Sequence, residues 1–265
     1  GEREHIKGTV ILLFQPAEEA EHGGEKVVNT GMFEKYKIEK IFGLHTKQNM
    51  PVGTIAIAPG PFSAAVDRFL YTVKGMGCHG SAPQTGLDPI PAAARLVGSL
   101  QEIVSRRISP TETAVISVTR FTSGTSWNII PETARLEGTV RTFNPKVREQ
   151  IVKLMQAQAE GLEREGYQVE FTWIPGCPAT NNDAELAELV RKEAMEEGFH
   201  VTLQHPEMGG EDFSCYQELV PGAFFHVGTG GKYPAHNSKF TVDPAALLGA
   251  SKLMSEIVKK ALKAS

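Results

Sequence analysis

The chain has 265 residues, with 27 Lys and Arg against 31 Asp and Glu and a formal charge of −4. At 41% hydrophobic and 22% charged residues it has the composition of a folded globular protein, which excludes global disorder. The mild acidity supplies no attraction toward nucleic acid or an anionic membrane, so neither partner is expected.

The length suits one or two domains at roughly 150 residues each. The longest apolar run, Val10–Phe14, falls far short of the ~18 residues of a membrane span. No signal-peptide pattern is read at the start. Cys78, Cys177 and Cys215 are odd in number and far apart. They make no disulfide framework, so a reducing, cytoplasmic location is expected.

The sequence opens on Gly1 and a charged stretch, Glu2–Lys7, then enters Thr9-Val-Ile-Leu-Leu-Phe14. That run is apolar on both faces, which predicts a central strand of a parallel sheet. A central strand needs neighbours on both sides, so an earlier start of the natural protein is expected. Gln15-Pro16 leads into a predicted helix ending near Asn29, with Gly31 as its C-cap. Lys40–His45 reads as a second short buried strand. Strand, helix and strand at this spacing predict a βαβ unit and an α/β domain.

From about Ala65 the pattern changes. Arg68–Lys74 reads as a strand, Gly75–Pro89 as a Gly- and Pro-rich loop, and Ile90–Arg107 as a helix. Thr113–Thr122 and Thr133–Arg141 alternate as strands. In the second, Ala134, Leu136 and Val140 lie opposite Arg135, Glu137, Thr139 and Arg141. Pro145–Gly166 is an amphipathic helix, and Gln168–Ile174 a last strand. The order β-α-β-β-α-β is ferredoxin-like. After Pro175 the α/β texture returns, with a helix at Asp183–Glu197, a buried strand at Ala223–Val227 and a long helix at Pro244–Lys263. The expected architecture is an α/β domain formed by 1–65 and 175–265, interrupted by a compact insertion at 66–174.

Four places concentrate reactive side chains. Gln15-Pro-Ala-Glu-Glu19 follows the end of a predicted buried strand, where ligands of open α/β sheets gather. Adjacent carboxylates point in different directions, so one can bind a metal while the other moves a proton. They could equally open the next helix, where its dipole favours acids. His45 ends the next strand, and His236 sits in Tyr-Pro-Ala-His236. Each alone reads as a polar strand end or a loop histidine. With Glu19 they make three ligands of types that suit Zn²⁺. In the insertion, His79 lies on the loop Gly75-Met-Gly-Cys-His79-Gly-Ser-Ala-Pro83, and Asn128 and Arg141 follow. His, Asn and Arg can serve an oxyanion and a substrate carboxylate. Arg141 also reads as part of a solvated sheet face. Glu211 and Asp212, in Met208-Gly-Gly-Glu-Asp-Phe213, are two acids beside glycines, or a cap for the helix after them.

These motifs carry a resemblance. The runs Q-P-A-E-E, G-L-H, G-M-G-C-H-G-S-A-P, N-I-I-P-E-T-A-R-L-E-G-T-V-R, G-G-E-D-F and Y-P-A-H resemble the M20 metallopeptidase family, nearest its amidohydrolase branch. The resemblance covers essentially the whole chain. It implies a discontinuous α/β metallohydrolase domain that binds two divalent metals, and an inserted ferredoxin-like lid that dimerises. The metal is expected to be Zn, with Mn, Co or Ni as alternatives. By position it implies Glu18 as general acid/base, and Glu19, His45 and His236 as metal ligands. It implies His79, Asn128 and Arg141 as the lid residues that hold the tetrahedral intermediate and the substrate carboxylate. Glu211 and Asp212 line the site without an assigned role. The family also has an upstream C-G-H-D-type motif carrying a Cys and a His ligand, which this sequence lacks. Asn237 stands where many relatives have a second His.

The expected activity is hydrolysis of the amide of an N-acyl amino acid, with a homodimer formed through the lid. The alternatives are a peptidase that cleaves dipeptide-like substrates at the same site, and an inactive fragment acting as a dimerisation module, since the upstream ligands are missing.

Overall fold

The computed structural model describes residues 8–19 and 23–263. In chain order the elements are α1 (Gly23–Val28), α2 (Met32–Lys35), β1 (Ile41–Lys47), β2 (Thr54–Ile57), β3 (Gly60–Ser63) and β4 (Ala65–Lys74). There follow β5 (Cys78–His79), α3 (Pro89–Glu102), β6 (Ala114–Ser123), β7 (Ile129–Ile130), β8 (Thr133–Thr142), α4 (Pro145–Arg164) and β9 (Gln168–Pro175). The last are β10 (Thr180–Asn182), α5 (Ala184–Glu196), β11 (His200–Leu203), α6 (Ser214–Gln217), β12 (Gly222–Gly228) and α7 (Pro244–Lys263). None of the described helices is long and apolar enough to cross a membrane.

The chain divides into two compact units. One comprises 1–63, 180–207 and 211–265; the other comprises 64–179 with 208–210. In the second, the antiparallel sheet has the order β6-β8-β4-β9, the ferredoxin-like arrangement. The ten-residue strands β4 and β8 pair along their whole length, from Ala65 opposite Thr142 to Lys74 opposite Thr133. The alternation read from sequence sets their faces: Ala134, Leu136 and Val140 are buried, whereas Arg135 is exposed. The helices α3 and α4 supply Leu96, Leu100, Ile151 and Met155 to that buried side. Each such side chain contributes about 1.5–3 kcal/mol by leaving water.

Both helices start where a side chain satisfies an orphan amide. Asp88 caps α3 through Ile90 N, and Asn144 caps α4 through Lys146 N, each followed by Pro at the first helical position. The predicted helix Ile90–Arg107 is α-helical only to Glu102, and residues Ile103–Arg107 widen into a π turn. Asp67, which is buried, is neutralised by the Arg148 guanidinium and also accepts from Gly176 N. A buried carboxylate without such partners would be costly.

In the first unit the mixed sheet has the order β1-β12-β2-β11, and β3 and β10 form a separate pair. β12 is buried along its whole length because both its faces are covered. Ala223, Phe225 and Val227 pack with Val190 of α5 and Leu253 and Ile257 of α7. The alternate residues turn the other way, where Phe224 joins Phe33, Phe62, Phe213 and Tyr216. The pairing puts Gly43 beside Phe224 and His45 beside His226. Neighbouring residues in register share a face, so His45 looks out on the aromatic side.

The opening differs from expectation. Residues 9–17 form no strand, and Leu12 and Phe14 are 76% and 87% exposed. An apolar run becomes a strand only where a ladder partner receives its amides. Among the described residues no strand pairs with it, and β1 stands at one end of the sheet. The predicted βαβ unit therefore lacks its first strand, and Glu18 and Glu19 sit in a turn. The predicted helix to Asn29 is reduced to α1, with residues 20–22 and the charged stretch 2–7 outside the described residues. Gly31, at φ 69°, separates α1 from α2.

Candidate active site

The first unit gathers six polar side chains from four stretches of chain. Glu18 and Glu19 occupy the turn entered through Ala17, whose φ is 61°. His236, itself at φ 65°, brings Nε2 to 3.7 Å from Glu19 Oε2. The carboxylate oxygens of Glu18, Glu211 and Asp212 lie within 4.8 Å of one another.

The acids repel one another. Partial desolvation pushes the Glu18 carboxyl above its ordinary range. The negative charges of Glu19 and Asp212 add to this, while His45 and His236 pull it back. Glu211 is pushed up to about 7 by burial and by Glu18, Asp212 and Glu19, despite a hydrogen bond from Phe213 N. These shifts place all six groups in one electrostatic neighbourhood.

His45 has a defined tautomer. Its Nδ1 lies 2.7 Å from the carbonyl oxygen of Thr46. A carbonyl only accepts, so in the neutral ring Nδ1 carries the proton and Nε2 keeps its lone pair. Histidine ligands to metals commonly donate their other N–H to a carbonyl in this way.

Within the second unit, β5 and β7 pair so that His79 lies opposite Ile129. Gly80 N donates to the Asn128 carbonyl, which brings the His79 and Asn128 loops together. His79 Nδ1 receives the Ser81 backbone N–H at 3.2 Å and lies 2.7 Å from Ser81 Oγ. An amide N–H only donates, so Nδ1 accepts, and in the neutral ring the proton sits on Nε2. The two histidines thus have opposite tautomers: His45 offers a lone pair and His79 a hydrogen-bond donor. A groove of about 450 Å³ beside His79 is lined by Cys78, Ile129, Ile130 and Pro131 among others. Asn128 Oδ1 accepts from Ser126 Oγ. Arg141 stands on β8, its Nε donating to Thr139 Oγ1 at 3.1 Å.

The capping expected of the Glu211-Asp212 pair is limited. α6 begins from Phe213 without a side-chain cap bond, and Glu211 Oε1 accepts from Phe213 N at 3.3 Å.

Sequence reasoning passed over His226. It is 7% exposed, donates from Nδ1 to Gln204 Oε1 and packs on the Phe62 ring at 4.7 Å. Burial, then the Lys47 charge, lowers it from 6.5 to about 4, against the opposing pull of Glu207. The unfolded chain therefore binds more protons between those two values. The stability His226 confers is complete above pH 6.5 and is lost as pH falls toward 4. His226→Leu should flatten the slope of stability across that window, read by urea unfolding at several pH values. An unchanged slope would assign the acid sensitivity to another group.

Comparison with known proteins decides the family. Residues 2–260 match the model of peptidase family M20/M25/M40. The chain belongs to the M20 peptidase family. It is 42% identical over 256 residues to an N-acetylcysteine deacetylase of Bacillus subtilis (strain 168), covering 96% of this chain and 67% of that one. A second deacetylase of that organism, named for N-acetyl-L-cysteine, is 39% identical over 261 residues, covering 98% and 62%. The crystal structure of the B. subtilis YXEP protein, a dinuclear metal-binding M20 peptidase, superposes with a TM-score of 0.84 at 38% identity, over 99% of this chain and 67% of that one. This M20 chain spans about two thirds of the length of these relatives.

Proposed function

We propose that the protein hydrolyses the amide bond of N-acyl amino acids with the help of a divalent metal. The observation that carries this reading is the pairing of Glu19 with His236, in the same electrostatic neighbourhood as His45. Nε2 of His45 is left open as a ligand, and a carboxylate and an imidazole already face each other at 3.7 Å. The donor types fit zinc, and Mn, Co and Ni accept the same set. Glu19, His45 and His236 would hold the ion. When bound, it supplies Lewis acidity toward water and the substrate carbonyl.

The chain's own residues supply the rest. Glu18 takes the proton of the attacking water and returns it to the leaving amine. A carboxyl raised above its ordinary range is a better match for both tasks near neutral pH. His79, with its proton on Nε2, donates to the developing oxyanion. Asn128 assists it, and Arg141 takes the substrate carboxylate as a fixed cation. No nucleophilic side chain is needed for this chemistry.

Three features extend the reading. The relatives' names point to acetyl as the acyl group. In the second unit β6 and β9 are the terminal strands of an antiparallel sheet, and a free edge favours pairing with a second copy. No disulfide joins the three cysteines, which suits the cytoplasm.

A panel of N-acetyl amino acids, N-acetylcysteine included, against dipeptides tests the activity in the intact protein. Amine release from the acetyl substrates, abolished by a chelator and restored by Zn²⁺, is expected. Cleavage of dipeptides alone would overturn the substrate class, and chelator-resistant turnover the metal. Sedimentation that finds only monomer at micromolar concentration would remove the dimer.

A further inference from the structure

Asp212 is 4% exposed, and a buried carboxylate is stable only when its oxygens are occupied. Both of its oxygens accept from Gln15 Nε2, at 2.8 Å each. Oδ2 also accepts from Gly24 N at 2.7 Å. The other end of the Gln15 amide, Oε1, accepts from the Tyr216 hydroxyl. The Gln15 amide is therefore gripped at both ends from the segment that carries Asp212 and Tyr216.

Gln15 and Gly24 lie on the two sides of Glu18 and Glu19 in sequence. Asp212 thus holds the acid turn by both flanks. Its own base is firm. Phe213, next in the chain, packs on Phe224 at 5.0 Å and Tyr216 at 5.9 Å. It also lies so close to Gly43 that a Cβ there would come within 2.7 Å of its ring. At Gly24 a Cβ would meet the Asp212 carbonyl oxygen at 2.5 Å, so no side chain can stand in that contact. Ala17 takes a left-handed conformation between the anchors, at φ 61°. Such a conformation persists in a non-glycine residue only where its surroundings impose it.

We propose that Asp212 is the positioning residue of the acid turn. It holds Gln15 and Gly24 so that the exposed carboxylates of Glu18 and Glu19 keep their places, and it meets neither substrate nor metal. The proposal rests on the functional reading above, which makes Glu19 a ligand and Glu18 the base.

The test uses the intact protein, stripped with a chelator and titrated with Zn²⁺ alone. Outer partners of metal ligands typically contribute 10–100-fold to affinity. Asp212→Asn and Gln15→Ala should therefore each weaken Zn²⁺ binding by at least ~10-fold. Gln15→Glu combined with Asp212→Asn exchanges donor and acceptor across the same gap and keeps the net charge. It should recover most of that loss, a coupling that independent sites do not show. Gln15→Ala changes a half-buried residue and keeps the test decisive if Asp212→Asn fails to fold. Unchanged affinity in Gln15→Ala overturns the proposal. So does a loss in Asp212→Asn that the paired exchange leaves in full, because Asp212 would then be a ligand itself. Glu19→Gln separates the two levels. If it leaves Zn²⁺ affinity intact, the functional reading falls and takes this one with it. If it abolishes binding while the Asp212 and Gln15 variants bind normally, only the positioning role falls.

Discussion

Glu18→Gln should lower turnover of an N-acetyl amino acid by at least ~10² and leave metal content at the wild-type level. The amide keeps the shape and hydrogen-bonding reach of the carboxyl but cannot take a proton. Glu18 is not part of the Glu19–His236 pair, so its loss leaves that pair in place. Stability gives no competing explanation. Desolvation and neighbouring acids raise the Glu18 carboxyl, which means that the folded state disfavours its ionised form. Removing that charge relieves repulsion in a cluster that also holds Glu211 and Asp212. Glu19→Gln should behave differently, losing metal and activity together. The check is kcat beside metal content by atomic emission, with both variants purified in parallel. Equal metal loss in the two variants would sink the division of roles between the adjacent acids.

The second unit was legible because its signals are long and mutually consistent. The strands β4, β6 and β8 run ten residues each, enough for alternation to declare a face. Asp88-Pro89 and Asn144-Pro145 mark helix starts by a mechanism that needs no tertiary partner. The first unit offers no such length. β2, β3 and β11 are four residues each and β10 is three. All of β2 is buried, so it has no polar alternate to reveal its period. Val10–Phe14 misled in the opposite sense. Its composition predicts a strand, but pairing depends on neighbours that composition does not encode, and it is largely exposed without them.

Chemistry was easier to read than geometry. Glu18, Glu19, His45 and His236 announce themselves by type, and of these Glu19 and His236 lie 3.7 Å apart. The supporting contacts do not announce themselves. Gln15 and Asp212 are 197 positions apart. The His226–Gln204 bond joins an ordinary amide to a histidine in an apolar run. Only the sheet register, which puts His226 beside His45, shows that this histidine borders the site. The opposite tautomers of His45 and His79 were equally hidden, since each depends on the identity of a single neighbouring atom.

His79→Ala should lower kcat by ~10²–10³ with KM changed little, as removal of one oxyanion donor does elsewhere. Ser81 sets the tautomer of the ring. Its backbone N–H and hydroxyl both meet Nδ1, which fixes the proton of the neutral ring on Nε2. A ring held that way is a donor, and a donor matters most where negative charge develops. The ground-state amide oxygen carries little charge, so substrate affinity depends on it weakly. Arg141→Ala offers the contrast: a cation that binds a carboxylate present throughout the reaction should act mainly on KM. The tautomer can be read without turnover. Nitrogen NMR of histidine-labelled protein should show His79 with its proton on Nε2 and His45 with its proton on Nδ1. Finding His79 protonated on Nδ1, or finding that His79→Ala raises KM alone, would make it a ground-state contact and leave the oxyanion without its donor.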